Sequence, residues 1–217
     1  MSIKAFIFDL DGVIVDTAKY HFLAWKRLCD ELGFQFTAKD NEKLKGVSRR
    51  KSFEIILSLN KAQMDESEIL TNLEKKNAYY LEFIHRLRKE EVLPGVKDFL
   101  LDARDKGIRR AIGSASRNCM EILSRLDLLS YFDAIIDGTK VSKAKPDPEV
   151  FIKGSEALSL EKGECIVFED SIAGIIAAHN GSMKAIGVGN SEVKGYCDLF
   201  IESFIGLDVE TLLSKVG

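Results

Sequence analysis

The 217-residue sequence predicts an α/β protein: a doubly wound parallel sheet whose first strand is separated from the others by an inserted all-helical domain. Three observations lead there. A short apolar run near the N-terminus, Ala5-Phe6-Ile7-Phe8, stops at an acidic turn, Asp9-Leu10-Asp11-Gly12. From Leu93-Pro94-Gly95 onward, helical and strand patterns alternate, as successive βαβ units do. Between these, residues 16–92 carry helical periodicity and no strand pattern.

The first strand is apolar throughout, as a strand covered on both faces should be. After it, Ala18, Phe22, Trp25, Leu28, Cys29 and Leu32 recur at helical spacing, with Thr17 placed to cap the start and Gly33 to end it. Two more helices are expected over Arg50–Asn60 and Asp65–Lys89. The second half then predicts helix Val96–Lys106, strand Ile108–Gly113, helix Asn118–Leu126 and strand Ala134–Asp137. Helix Pro148–Leu158, strand Ile166–Phe168, helix Ile172–Asn180, strand Lys184–Val188, strand Leu199–Ile201 and a C-terminal helix complete it. The expected division is a core of residues 1–15 and 93–217, with residues 16–92 inserted. An insertion leaving and returning beyond the end of strand one should lie over the crevice there as a cap.

Composition narrows the function classes. Hydrophobic residues at 46% and charged residues at 30% fit a soluble globular protein. A net charge of −3 offers no basic footprint for nucleic acid or an anionic membrane. Between Thr37 and Glu90, however, 12 Lys and Arg stand against 9 Asp and Glu, so a basic insertion faces a more acidic core. That suits an anionic substrate held near a cation site. Cys29, Cys119, Cys165 and Cys197 are scattered without CxxC spacing, so thiols in a reducing compartment are expected rather than disulfides or zinc. No apolar stretch reaches membrane-span length, and the N-terminal run is too short for a signal-peptide core. A cytoplasmic monomer is expected.

Chemistry concentrates at the predicted strand ends, where open α/β sheets form their ligand crevice. With a two-residue period, Asp9 and Asp11 can share one space. Two carboxylates there repel unless a divalent cation or a proton compensates, which suggests one Asp as nucleophile and the other as proton carrier. The same residues would also make an ordinary solvated turn. The second strand ends at Ser114-Ala115-Ser116, hydroxyls and amides suited to a phosphate or simply to a helix cap. Lys145-Pro146-Asp147-Pro148 follows the third, offering either a fixed positive charge or a surface lysine. The fourth ends at Glu169-Asp170-Ser171, which would complete a Mg²⁺ site or cap the next helix.

In this order, Asp9-Leu10-Asp11-Gly12-Val13, Ser114, Lys145 and Glu169-Asp170 resemble the four motifs of the haloacid dehalogenase superfamily. The resemblance spans nearly the whole chain and implies a Rossmann-like core with a helical cap. Asp16 to His21, Trp25, Leu44-Lys45-Gly46-Val47-Ser48-Arg49, Lys76-Asn77 and Ser114 to Asn118 further resemble the β-phosphoglucomutase family. The resemblance implies a phosphotransferase interconverting β-D-glucose 1-phosphate and glucose 6-phosphate through an aspartyl-phosphate and a bisphosphorylated sugar. It implies Asp9 as nucleophile, Asp11 as general acid and base, and Ser114, the Ala115 amide and Lys145 on the transferring phosphate. Mg²⁺ would be held by Asp9, Asp11 and Asp170 with Glu169 at or just behind the ion, and glucose 1,6-bisphosphate would prime the enzyme. His21 would orient Asp11. Arg49, Ser116 and Asn118 would hold the second phosphate, and Lys45, Gly46 and Lys76 the sugar. Trp25 belongs to this set, although its place on the apolar helix face suits packing better than substrate contact. His85 and His179 are expected to be structural. Arg50 departs from the family, where an acidic residue follows the Arg; the position is expected to be peripheral, and the change leaves fine specificity open. The alternative activity is sugar-phosphate hydrolysis, with water attacking the phosphoenzyme; a non-catalytic sugar-phosphate binder would not need Asp9.

Overall fold

The structure is a computed structural model and describes residues 2–44 and 47–216. It divides into two compact units, one of Met1–Asp16 with Arg88–Gly217 and one of Thr17–Leu87. The inserted unit thus ends earlier than the expected 16–92. A 3-10 turn at Lys89–Glu91 is followed by an antiparallel bridge between Val92 and Val15. The Leu93 N–H also donates to the Ile14 carbonyl at 2.9 Å. These backbone bonds tie residues 88–92 into the α/β unit, and no sequence periodicity reports them.

Six strands form the sheet: β1 (Ala5–Phe8), β2 (Arg109–Gly113), β3 (Ala134–Ile136), β4 (Cys165–Glu169), β5 (Lys184–Val188) and β6 (Leu199–Ile201). Their order is β3-β2-β1-β4-β5-β6, and every pairing is parallel. The order reverses beside β1, which makes its carboxyl end a topological switch point. Phe8 is in register with Ile112 on β2 and Phe168 on β4. Consequently Asp9, Gly113 and Glu169 leave three neighbouring strands at one level.

The inserted unit contains α1 (Ala18–Glu31), α2 (Ala38–Glu42), α3 (Arg49–Leu59) and α4 (Glu66–Ile84). Both α1 and α3 pack on α4. Trp25 stacks on Phe53 at 5.8 Å between ring centroids, joining α1 to α3. Thr17 occupies the cap position of α1 but makes no capping bond; its hydroxyl accepts from Tyr80 at 3.1 Å. The short α2 was absent from the sequence expectation, although Thr37 and Asp40 form a full capping box at its start. Helix α4 stops at Ile84, short of the expected Lys89, because Arg86 and Leu87 switch to tighter bonds onto Phe83 and Ile84. Leu87 remains buried in that turn, so the apolar pattern outlasts the helix.

The α/β unit adds α5 (Val96–Asp105), α6 (Cys119–Arg125), α7 (Glu149–Ala157), α8 (Ile172–Asn180) and α9 (Val209–Val216). Strand alternation sorts the core into two kinds. On one face Phe6, Phe8 and Phe168 meet Phe99 of α5 and Phe204, with Phe8 and Phe168 stacked at 4.7 Å. On the other, Ile7, Ala111, Val167 and Ala185 meet Phe151 of α7 and Ile175 of α8. Both faces of the central strands are covered, as their apolar runs require.

Candidate active site

Four strand ends supply the site residues of the α/β unit. Asp9 continues β1, its N–H donating to the Phe168 carbonyl at 2.9 Å, and it is 7% exposed. The chain then turns sharply: the Gly12 N–H donates to the Val15 carbonyl at 2.8 Å, and Gly12 adopts φ +79°. A Cβ on Gly12 would fall on the Asp170 carboxylate, so glycine is needed both for the turn and for that approach. Ser114 follows β2, is buried, and accepts from the Ser116 N–H at 3.1 Å. The Ser116 hydroxyl in turn accepts from the Asn118 N–H at 3.3 Å, and the Ala115 carbonyl lies against Gly138.

Lys145 reaches the centre of this arrangement. Its ammonium lies 2.5 Å from Asp9 Oδ1 and 2.6 Å from Glu169 Oε1, above the ring of Phe151. The loop that delivers it is braced by Glu149 at the start of α7. That carboxylate accepts from Ser142 N–H and Oγ and from Lys143 N–H, while Asn180 donates to the Pro146 carbonyl. The Lys153 ammonium, then the Lys143 and Ser142 donors, hold the Glu149 carboxyl down to about 2. Glu149 and Asn180 were not foreseen; an acid directly after Pro148 at a helix start was the available signal.

Glu169 is 1% exposed and has both oxygens engaged, Oε1 by Lys145 and Oε2 by Ser171 N–H and Oγ at 2.8 and 2.9 Å. Ser171 also caps α8 by accepting from the Gly174 N–H. A Cβ on Gly174 would collide with the Glu169 carboxylate. Glu169 therefore faces Lys145 and the α8 terminus, with both oxygens taken by donors of the protein.

Charge compensation here is incomplete. Burial pushes the Asp9 carboxyl up to about 7; Lys145 pulls the other way, and Glu169 and Asp11 add to the rise. Burial likewise pushes Asp170 up to about 8, with the charges of Glu169, Asp9 and Asp11 behind it. For Lys145, burial works against the charge, but the two carboxylates outweigh it and hold the ammonium above its ordinary range. Among the described residues, no three His, Cys, Asp or Glu side chains converge as a metal cage. A smaller oxygen set could hold a cation: the Asp9 and Asp170 carboxylates, with the Asp11 carbonyl in the same loop as Asp9. Hard oxygen donors around uncompensated negative charge fit Mg²⁺, which keeps several of its waters.

In the helical unit, His21 Nδ1 lies 2.8 Å from the Lys76 ammonium, and the imidazole stacks on Tyr80 at 4.1 Å. Since the ammonium can only donate, Nδ1 accepts and the proton of neutral His21 sits on Nε2. Burial, then Lys76 and Arg49, hold this imidazole well below its usual range. Lys76 is buried at 2% exposure and lies 4.9 Å from the Trp25 and Tyr80 ring centroids. Trp25 itself is buried in the helical core. Arg49 opens α3, half-buried. Arg50 is turned to Glu66, which it grips through both terminal nitrogens at 2.6 Å. Lys45 and Gly46 lie outside the described residues. His85 caps the end of α4, and His179 lies 3.0 Å from Asp198.

A buried ammonium set between carboxylates at adjacent strand ends suits the handling of a transferring anionic group. The class follows from fold and sequence together: residues 6–188 match the haloacid dehalogenase-like hydrolases, and the chain belongs to that family. Within it, the chain is similar to β-phosphoglucomutase of Bacillus subtilis, 39% identical over 211 residues that cover 96% of this chain and 93% of the relative. The crystal structure of β-phosphoglucomutase from Clostridium difficile matches with a TM-score of 0.92 and 38% identity, covering 99% and 97% of the two chains. A phosphorylated carbohydrates phosphatase of Thermotoga maritima is 32% identical over 191 residues, covering 84% and 83%.

Proposed function

We propose that this enzyme is a Mg²⁺-dependent phosphotransferase that interconverts β-D-glucose 1-phosphate and glucose 6-phosphate, with glucose 1,6-bisphosphate as priming donor. The observation that carries the phosphoryl-transfer reading is the buried Lys145–Asp9 pair beside Asp170. Similarity to β-phosphoglucomutase over nearly the full length supports the sugar and the mutase outcome.

Asp9 attacks phosphorus in line. An Asp9 O–P bond forms, the P–O bond to the sugar breaks, and Asp11 delivers a proton to the departing sugar oxygen. In the return transfer Asp11 takes the proton of the attacking hydroxyl, which regenerates free Asp9. Lys145 and Ser114, with the Ala115 amide, hold the phosphoryl oxygens, and Glu169 holds Lys145. Asp9, Asp170 and the Asp11 carbonyl would hold Mg²⁺, which supplies charge neutralisation on those oxygens when bound. His21, neutral with its proton on Nε2, is assigned to orienting Asp11 on the family resemblance. Arg49, Ser116 and Asn118 are assigned to the second phosphate, and Lys45, Gly46 and Lys76 to the sugar. Trp25 acts through packing against Phe53 and Lys76 rather than by touching substrate.

Hydrolysis is the second reading, favoured by the similarity to the phosphorylated carbohydrates phosphatase. Phosphorus NMR on purified enzyme with Mg²⁺, β-glucose 1-phosphate and a trace of glucose 1,6-bisphosphate separates the two. Glucose 6-phosphate without matching inorganic phosphate supports the mutase; accumulating inorganic phosphate refutes it in favour of the phosphatase.

A further inference from the structure

Asn190 belongs to none of the family motifs quoted above. It follows β5, strand-adjacent to β4, and its side-chain amide is used at both ends. Its Nδ2 donates to the Asp170 carbonyl at 2.9 Å, and its Oδ1 accepts from the Glu192 N–H at 3.1 Å. The Asn190 N–H donates to the Val188 carbonyl at 2.6 Å, which anchors the residue to the end of β5. The amide thus ties the backbone of Asp170 to a neighbouring strand of the sheet.

Asp170 has little else to orient it. Its side chain approaches Gly12 so closely that a Cβ there would occupy the carboxylate's position. The residue before it, Glu169, is turned the other way and locked on Lys145 and Ser171. Two consecutive carboxylates therefore face different partners, and the peptide between them decides which way each points.

We infer that Asn190 is a positioning residue that aims the Asp170 carboxylate into the site by gripping the Asp170 carbonyl. The inference rests on the assignment of Asp170 as a Mg²⁺ donor. Asn190 contributes no ligand itself, because both ends of its amide are committed within the chain. Groups of this kind behind a metal ligand tune affinity by 10- to 100-fold as an order of magnitude.

Titration calorimetry of Mg²⁺ into the substrate-free wild type, Asn190→Ala and Asn190→Ser tests it, with thermal unfolding in metal-free buffer alongside. The serine hydroxyl can still accept from the Glu192 N–H but is too short to reach the Asp170 carbonyl. Both variants should bind Mg²⁺ on the order of 10-fold more weakly, and Asn190→Ser should keep the wild-type melting temperature. Wild-type Mg²⁺ affinity in both variants overturns the inference. Weakened binding in Asn190→Ala alone, in step with a lower melting temperature, also overturns it, because the residue is then merely a cap. A wild type that binds no Mg²⁺ overturns the metal assignment itself, and the positioning role with it.

Discussion

Replacing Lys145 by Met removes one cation from a cluster of buried acids while keeping an apolar stem over Phe151. The ammonium makes two contacts, at 2.5 Å to Asp9 and 2.6 Å to Glu169, with side-chain exposures of 8%, 10% and 1%. At an effective dielectric of about 20, each contact corresponds to about 6 kcal/mol of Coulomb attraction, largely offset by desolvation. The measurable cost of removing one partner of such a buried group is about 3–5 kcal/mol. That cost depends on pH. In the wild type, the folded Asp9 value of about 7 stands above its ordinary 3.8. Its favourable contribution is therefore complete below the unfolded value and is lost as pH rises through 7. Without Lys145, the influence that lowers Asp9 is gone and its value climbs further. Near pH 5 Asp9 holds its proton and the variant loses mainly hydrogen bonds, about 1–2 kcal/mol. Near pH 8.5 the unfolded chain has released the Asp9 proton, while the folded variant must either retain it or bear an unpaired charge. There the full 3–5 kcal/mol, about 6–20 °C in melting temperature, should appear. Urea unfolding of metal-free protein, followed by circular dichroism at the two pH values, gives the difference directly. An equal deficit at both, or a larger one in acid, would refute the reasoning.

The other predictions follow from the same geometry. Asp9→Asn should keep the fold by circular dichroism yet lower turnover in the phosphorus NMR assay by on the order of 10³-fold or more; retained turnover would sink Asp9 as nucleophile. Gly174→Ala sets a Cβ against the Glu169 carboxylate and should cost about 1–3 kcal/mol in urea unfolding. The affinity of substrate-free protein for Mg²⁺ should strengthen from about pH 6 to about pH 9 as Asp9 and Asp170 lose protons near 7 and 8; a flat calorimetric profile contradicts that donor set. His21 should be neutral at about pH 6.5, where an ordinary imidazole is half protonated, with the Nε2-protonated tautomer visible in nitrogen-15 NMR.

Much of the site was legible because it sits at strand ends. The Ala5–Phe8 run had to be a buried strand, and a buried strand that stops at Asp9 puts a carboxylate at the sheet edge. The same logic located Ser114, Glu169 and Asp170. What stayed hidden were partners far apart in sequence. Lys145 and Asp9 are 136 residues apart, and Asn190 reaches Asp170 across 20. Nothing in Glu169-Asp170 indicates that one carboxylate points back to Lys145 and the other toward Gly12. Arg50, a departure at a position expected to be peripheral, is an ion-pair partner of Glu66 on the exposed helix surface.

Sequence alone determined the strands, the parallel sheet and the residue types at its carboxyl edge, because apolar periodicity, turn chemistry and βαβ connectivity act locally along the chain. Tertiary structure decided how those residues divide their charge. Register brings four carboxyl groups and one ammonium together, and burial then raises the cost of each uncompensated charge. Only the folded chain shows which acids Lys145 contacts and which side chain holds the Asp170 backbone.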